Sequence, residues 1–305
     1  MKTYLLLIVS VYFSTCFAQQ STVSAGKIDF IPSFHSTLVS DRSVAVWLPN
    51  DYNPTKRYAV LYMHDGKALF DSTIMWNKQE WQVDETMQRL IDSKKIKNTI
   101  VVGIWNGDAK RHAEYFPEKP FKSLSKSTQD SLYQLNRDAN TRMFADTVQS
   151  DNYLKFLVTE LKPYIDKHYS TLADKEHTII AGASMGGLIS LYAICEYPNI
   201  FGGAACVSTH WPGVFSTQNN PIPTAFYAYI DQHLAIFKTH KIYFDYGDQT
   251  LDALYAPFQK HVDSLFVYKG KVAKKHYQSR FFPGENHSEK SWSKRFEIPL
   301  LFLLK

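Results

Sequence analysis

Thr178-Ile-Ile-Ala-Gly-Ala-Ser-Met-Gly-Gly-Leu188 is the stretch from which the fold is read. Residues 178–181 form a short β-rich apolar run, residues 182–186 fit G-x-S-x-G, and residues 188–194 can continue as a buried helix. Strand, tight turn and helix in that order are the setting in which this motif carries chemistry. Glycines on both sides of Ser184 let the backbone pack closely around a strained turn, which lifts the serine hydroxyl out of the sheet. The amide of Met185, at the head of the helix, then faces the oxyanion of an attacked carbonyl, aided by the helix dipole. The competing reading is a glycine-rich β-α turn in which Ser184 only caps the helix.

Downstream, residues 241–246 read as a strand that leaves through Gly247-Asp-Gln-Thr-Leu-Asp252 into a helix bearing Leu254, Phe258, Val262 and Leu265. A last strand over 277–282 runs into Pro283-Gly-Glu-Asn-His287, followed by a closing helix with Trp292, Phe296, Leu300 and Leu301. An acid after one late strand and a histidine after the next reproduce the Ser, Asp/Glu, His chain order of an α/β-hydrolase. His287 stands in a polar loop, as suits a general base rather than a core histidine. Asp252, steadied by a helix N-terminus, is preferred as the acid; Asp248 remains the alternative, or a turn-former. Asp245 lies within the strand. His210 precedes both acids, too early for the base, and with Trp211 it is expected in the pocket at the end of a strand over 204–208.

Upstream, 28–34 and 43–49 read as antiparallel strands, and the apolar run 57–63 as a strand buried on both faces. It enters His64-Asp-Gly-Lys67, a turn suited to supply a second oxyanion amide from Lys67 or Gly66, with His64 beside the substrate. A helix over 81–91 and a strand over 99–105 complete a right-handed parallel crossover. The polar stretch 106–140 shows little periodicity and is expected to form a lid or binding insertion, as is 209–235. Asn106, Arg111, Glu114 and Tyr115 are candidates for the cleft. A one-face helix spans 151–169, with a kink expected at Pro163.

Lys2, the apolar run 4–13 and a small residue at Ala18 read as a secretory signal cleaved after residue 18, too short to span a bilayer. Lipidation at Cys16 is the less favoured reading, because Phe13-Ser-Thr15 is a poor approach to it. The expected mature chain, 19–305, is one α/β domain, secreted or periplasmic, without stable membrane insertion. Its two cysteines, Cys195 and Cys206, sit among apolar neighbours and read as buried free thiols, too few for a disulfide scaffold. The formal net charge of +5 is spread out, and its lysine clusters lack the aromatic interleaving or motif of a nucleic-acid site. No metal-ligand spacing is present, and the chemistry requires neither metal nor organic cofactor.

Together, Tyr62-Met-His-Asp-Gly66, Val101-Val-Gly-Ile104 with Glu114-Tyr-Phe-Pro117, Gly182-Ala-Ser-Met-Gly-Gly187 and Gly284-Glu-Asn-His-Ser288 resemble the Putative esterase family of α/β-hydrolases. That family contains esterase D, feruloyl and acetyl-xylan esterases, enterochelin-type siderophore esterases and mycolyl transferases. The resemblance implies a mostly parallel sheet with helices on both faces and antiparallel N-terminal strands. It also implies Ser184 as nucleophile, His287 as base, an acid within 247–252, and oxyanion amides near Lys67 and Met185. The expected substrate is a small-molecule or oligosaccharide ester, foremost an acetyl or feruloyl ester of carbohydrate. A siderophore trilactone ester is the runner-up, acyl transfer to sugar comes third, and a non-catalytic module last, since such modules usually lose a triad residue.

Overall fold

The structure, a computed structural model, describes residues 22–305, so the expected signal over 1–18 lies outside the described residues. The strands are β1 (Lys27–Phe34), β2 (Arg42–Leu48), β3 (Ala59–His64), β4 (Thr99–Ile104), β5 (Thr178–Ala183), β6 (Gly203–Val207), β7 (Lys241–Tyr246) and β8 (Tyr277–Phe281). They form one sheet in the order β1-β2-β4-β3-β5-β6-β7-β8. β1 pairs antiparallel with β2 and β2 with β4, and every other pair is parallel. Every residue of β3, β4 and β5 is buried, which is why their sequences run apolar instead of alternating. Successive side chains still point to opposite faces: Val60 and Tyr62 enter one core, Leu61 and Met63 the other.

The helices are α1 (Val83–Asp92), α2 (Arg111–Tyr115), α3 (Glu118–Ser123), α4 (Lys126–Tyr133), α5 (Ser150–Phe156), α6 (Lys162–His168), α7 (Met185–Glu196), α8 (Ile222–Gln232), α9 (Ala256–Ser264), α10 (Glu289–Arg295) and α11 (Glu297–Leu303). Helices α1, α10 and α11 cover one face of the sheet, and α2 to α9 contribute to the core on the other. Helix α7 is buried from Met185 to Cys195, consistent with its apolar sequence on all sides. Cys195 and Cys206 are buried free thiols.

Three stretches have more internal structure than their sequences display. The stretch 106–140 is no aperiodic loop: it folds into α2, α3 and α4, with Phe116, Phe121 and Leu132 in the core. Helices of five to eight residues are too short to display a period. The 209–235 stretch likewise supplies α8, whose Ile222, Phe226 and Ile230 are core. The helix expected over 151–169 contains a π-helical turn, Leu157–Leu161, ahead of Pro163. A widened turn accommodates a proline that has no N–H to donate and whose ring crowds the carbonyl of the previous turn.

From β3 the chain moves to β4 on one side, and β5 lies on the other. A crevice therefore opens beyond the carboxyl ends of β3 and β5, the position at which open α/β sheets bind ligands.

Candidate active site

Ser184 leaves β5 with φ 59° and ψ −121°, a conformation that costs a non-glycine residue about 1–3 kcal/mol. The surroundings hold it there: its amide donates to Val207 O at 3.0 Å, and its carbonyl accepts from Gly187 and Leu188. A Cβ on Gly182 would stand 2.8 Å from the backbone carbonyl of Gly186, so the first turn of α7 rests on the end of β5 only because that residue is glycine. The Ser184 side chain makes no capping hydrogen bond, contrary to the helix-cap reading. Met185 begins α7, so its amide has no intrahelical acceptor.

The turn after β3 lies alongside. Asp65 adopts φ 57° and is clamped by Arg111 Nε and Nη2 at 2.7 and 2.8 Å and by Asn106 Nδ2 at 2.7 Å. Burial raises the pKa of its carboxyl, but Arg111 and Asn106 outweigh this and hold it below the usual range. Gly66 presses on β4, where a Cβ would meet Gly103 C at 2.5 Å. Lys67 sends its ammonium over the Trp105 ring, 5.6 Å from the centroid. His64 is buried, with Nδ1 2.8 Å from the Tyr153 hydroxyl, and burial pushes its pKa down to about 3.

His287 sits in the loop after β8. Its Nδ1 lies 2.6 Å from Asp252 Oδ1, its ring packs edge-on against Trp292, and Nε2 makes no hydrogen bond among the described residues. The other oxygen of Asp252, Oδ2, accepts from Gly247 N at 2.7 Å and Ser208 Oγ at 2.6 Å. Burial raises the Asp252 pKa, yet the His287, Ser208 and Gly247 contacts prevail and lower it. Asp248 does not reach His287. It accepts from Gly284 N at 2.8 Å and ties the two loops together as a turn residue.

Ser184, His287, His64, Lys67, Asn106 and Arg111 line a single cleft of about 720 Å³. Four other candidates lie elsewhere. Trp211 is core: it packs on Phe244 and donates to Gln259 Oε1 at 2.9 Å. His210 is buried behind the cleft, with Nδ1 2.8 Å from the Tyr255 hydroxyl, and burial together with His287 lowers its pKa to about 3. Their segment turns back at Gly213, whose φ is 67°, and carries both rings under the sheet end. Glu114 forms a buried bidentate pair with Arg42 at 2.8 and 2.9 Å, and Tyr115 is wholly buried beneath Asp65.

The sequence reading missed Ser208 and Arg295. Ser208 Oγ donates to Asp252 and accepts from Trp292 Nε1 at 3.0 Å and Arg295 Nη2 at 2.9 Å; the same Nη2 lies 3.1 Å from Asp245 Oδ1. A signal for Arg295 was present, since it falls between Trp292 and Phe296 on the apolar face of the closing helix. Ser208 had none beyond its place at a strand end.

A family model described as Putative esterase matches residues 36–301. The chain is 28% identical over 200 residues to an endo-1,4-beta-xylanase/feruloyl esterase of Xylanibacter ruminicola, covering 61% of this chain and 22% of that protein. It is 24% identical over 170 residues to the uncharacterized protein YjcH of Bacillus subtilis, covering 55% of this chain and 56% of that one. The aligned part thus spans no more than about half of these curated relatives. A solved ferulic acid esterase superposes with a TM-score of 0.61 at 20% identity, covering 91% of this chain and 98% of the other, a likeness of fold. With the family model spanning most of its length, the chain belongs to the Putative esterase family.

Proposed function

We propose that this protein is a serine carboxylic-ester hydrolase that works through an acyl-enzyme. The observation that carries the proposal is the 2.6 Å contact from buried Asp252 to His287, whose ring lines the same cleft as Ser184. Asp252 fixes the tautomer and orientation of His287, leaving Nε2 to take the Ser184 proton as Oγ attacks the ester carbonyl. The amides of Lys67 and Met185 receive the oxyanion. Collapse expels the alcohol with the proton from His287, and water repeats the sequence on the acyl-enzyme. The signal-like sequence of residues 1–18 supports export as part of this reading.

For the substrate we propose acetyl or feruloyl esters of carbohydrate. In support, the cleft lining has three basic and four acidic side chains, with Arg42 and Arg111 each paired to an acid. Such a lining suits a neutral ester better than an anionic ferric siderophore.

Hydrolysis of p-nitrophenyl acyl esters, methyl ferulate, acetyl-xylan and enterobactin tests the reading. Ser184→Ala is expected to lower kcat by roughly 10⁴-fold or more, and Asp252→Asn by a similar order, with Asp248→Asn near the parent. Activity indifferent to Ser184→Ala would remove the proposal.

A further inference from the structure

Trp76 is 90% exposed, the highest value among the large apolar side chains of the described residues, and it stands in the wall of the same cleft as Ser184 and His287. A single exposed apolar residue ordinarily needs no explanation. This one differs in its support and its company. The turn bearing it is tied down on both sides: Asp71 accepts from Thr73 N at 2.9 Å, Lys78 Nζ donates to Thr73 O at 2.7 Å, and Asn77 Nδ2 donates to Glu289 Oε2 at 3.0 Å. Lys290 N donates to Gln79 Oε1 at 3.2 Å, so the turn is anchored to the helix that follows the His287 loop. The backbone that offers this indole to water is held before any ligand arrives, which reduces the ordering cost of binding.

The lining of the same cleft also includes Trp105 and the polar groups of Asp41, Asn106 and Asp108. A flat apolar face in a cleft that also carries carboxylates and an amide matches a sugar chain, in which the C–H face of a pyranose ring packs on an aromatic surface while hydroxyls seek acceptors. The carboxylates disfavour an anionic ring in the same cleft. Exposure decides which part of the substrate is met. An acyl group must reach the half-buried Ser184, whereas a side chain almost wholly in solvent touches what protrudes, namely the alcohol with its continuing chain.

We propose that Trp76 is the platform of an alcohol-side subsite for a neutral sugar ring of the carbohydrate that carries the ester; this rests on the ester-hydrolase reading above. The test compares parent, Trp76→Ala and Trp76→Phe on acetylated xylo-oligosaccharides, feruloylated arabinoxylan oligosaccharides, p-nitrophenyl acetate and methyl ferulate. The ratio of kcat/KM on oligosaccharide esters to that on the small esters is expected to fall about tenfold in Trp76→Ala, through KM, and to be largely restored in Trp76→Phe. In a Ser184→Ala background, unesterified xylo-oligosaccharides are expected to change the tryptophan fluorescence, and Trp76→Phe to remove most of that change. A parallel loss on small and oligosaccharide esters, or an unchanged ratio, overturns the subsite. If the parent hydrolyses none of the esters, the ester-hydrolase reading falls instead, and the fluorescence titration alone decides whether Trp76 holds sugar.

Discussion

Ser208 shows how the proposed acid is held. Its hydroxyl gives its one proton to Asp252 and takes hydrogen bonds from Trp292 and Arg295 in a buried setting. A hydrogen bond to a buried charge is worth about 1.5–3 kcal/mol, and removing its partner leaves the remaining groups unsatisfied. Ser208→Ala is therefore expected to lower kcat/KM roughly 10–100-fold and to reduce stability by about 1–3 kcal/mol, read from ester hydrolysis and urea unfolding. Because the lost donor favours the charged form of Asp252, the acid limb of the pH–rate profile should move to higher pH. Ser208→Thr, which keeps the hydroxyl, should restore the limb; an unmoved limb in Ser208→Ala would show that the serine only fills space.

At the scale of elements, two glycines separate backbone contacts from side-chain contacts. A Cβ on Gly66 meets the backbone of Gly103 and Ile104 at 2.5 and 2.6 Å, whereas a Cβ on Gly103 meets first the ends of Leu69 and Phe70 at 3.1 and 3.2 Å. Backbone cannot give way without moving the turn after β3 away from β4, while a leucine methyl can shift. Gly66→Ala is thus expected to depress kcat at least tenfold and to lower Tm clearly. Gly103→Ala should cost only about 1 kcal/mol, at the low end for overpacking. Activity assays and thermal unfolding of both variants check the order; equal effects would remove the turn's assigned role in holding the Lys67 amide. The π-helical turn before Pro163 belongs to the same scale, since one proline marks a disturbance in sequence and the packed helix determines its form.

Across the whole molecule, burial of neutral histidines gives the fold an acid sensitivity. His64 and His210 have pKa values pushed down to about 3, against about 6.5 in the unfolded chain. Between those values the unfolded state binds protons that the folded state refuses, so stability falls as pH falls, by on the order of 1 kcal/mol per pH unit for each histidine. Asp65 and Asp252, with depressed pKa values, act lower down: their contribution is present above about pH 4 and is lost as pH drops through their folded values. Urea unfolding at pH 7, 6, 5 and 4 is expected to show a steady loss beginning near pH 6.5, flatter in His210→Gln. A flat dependence from pH 7 to 5 would contradict the buried neutral assignment.

How much was legible depended on how locally each feature is encoded. The strand, turn and helix around Ser184, the turn after β3, and the order of Asp252 and His287 could be read because a strand or helical turn is specified by adjacent residues. Packing across the sheet decided the rest. It brought Asp252 rather than Asp248 to His287, because Asp248 is engaged by Gly284. It also sent Trp211 into the core, made short helices of 106–140, and gathered Ser208, Arg295 and Asp245 behind Asp252. The chain by itself determined which residues carry the hydroxyl, imidazole and carboxyl groups and in what order. Only tertiary structure determined which of them meet, since residues separated by dozens of positions are brought together by burial of surfaces that no local pattern specifies.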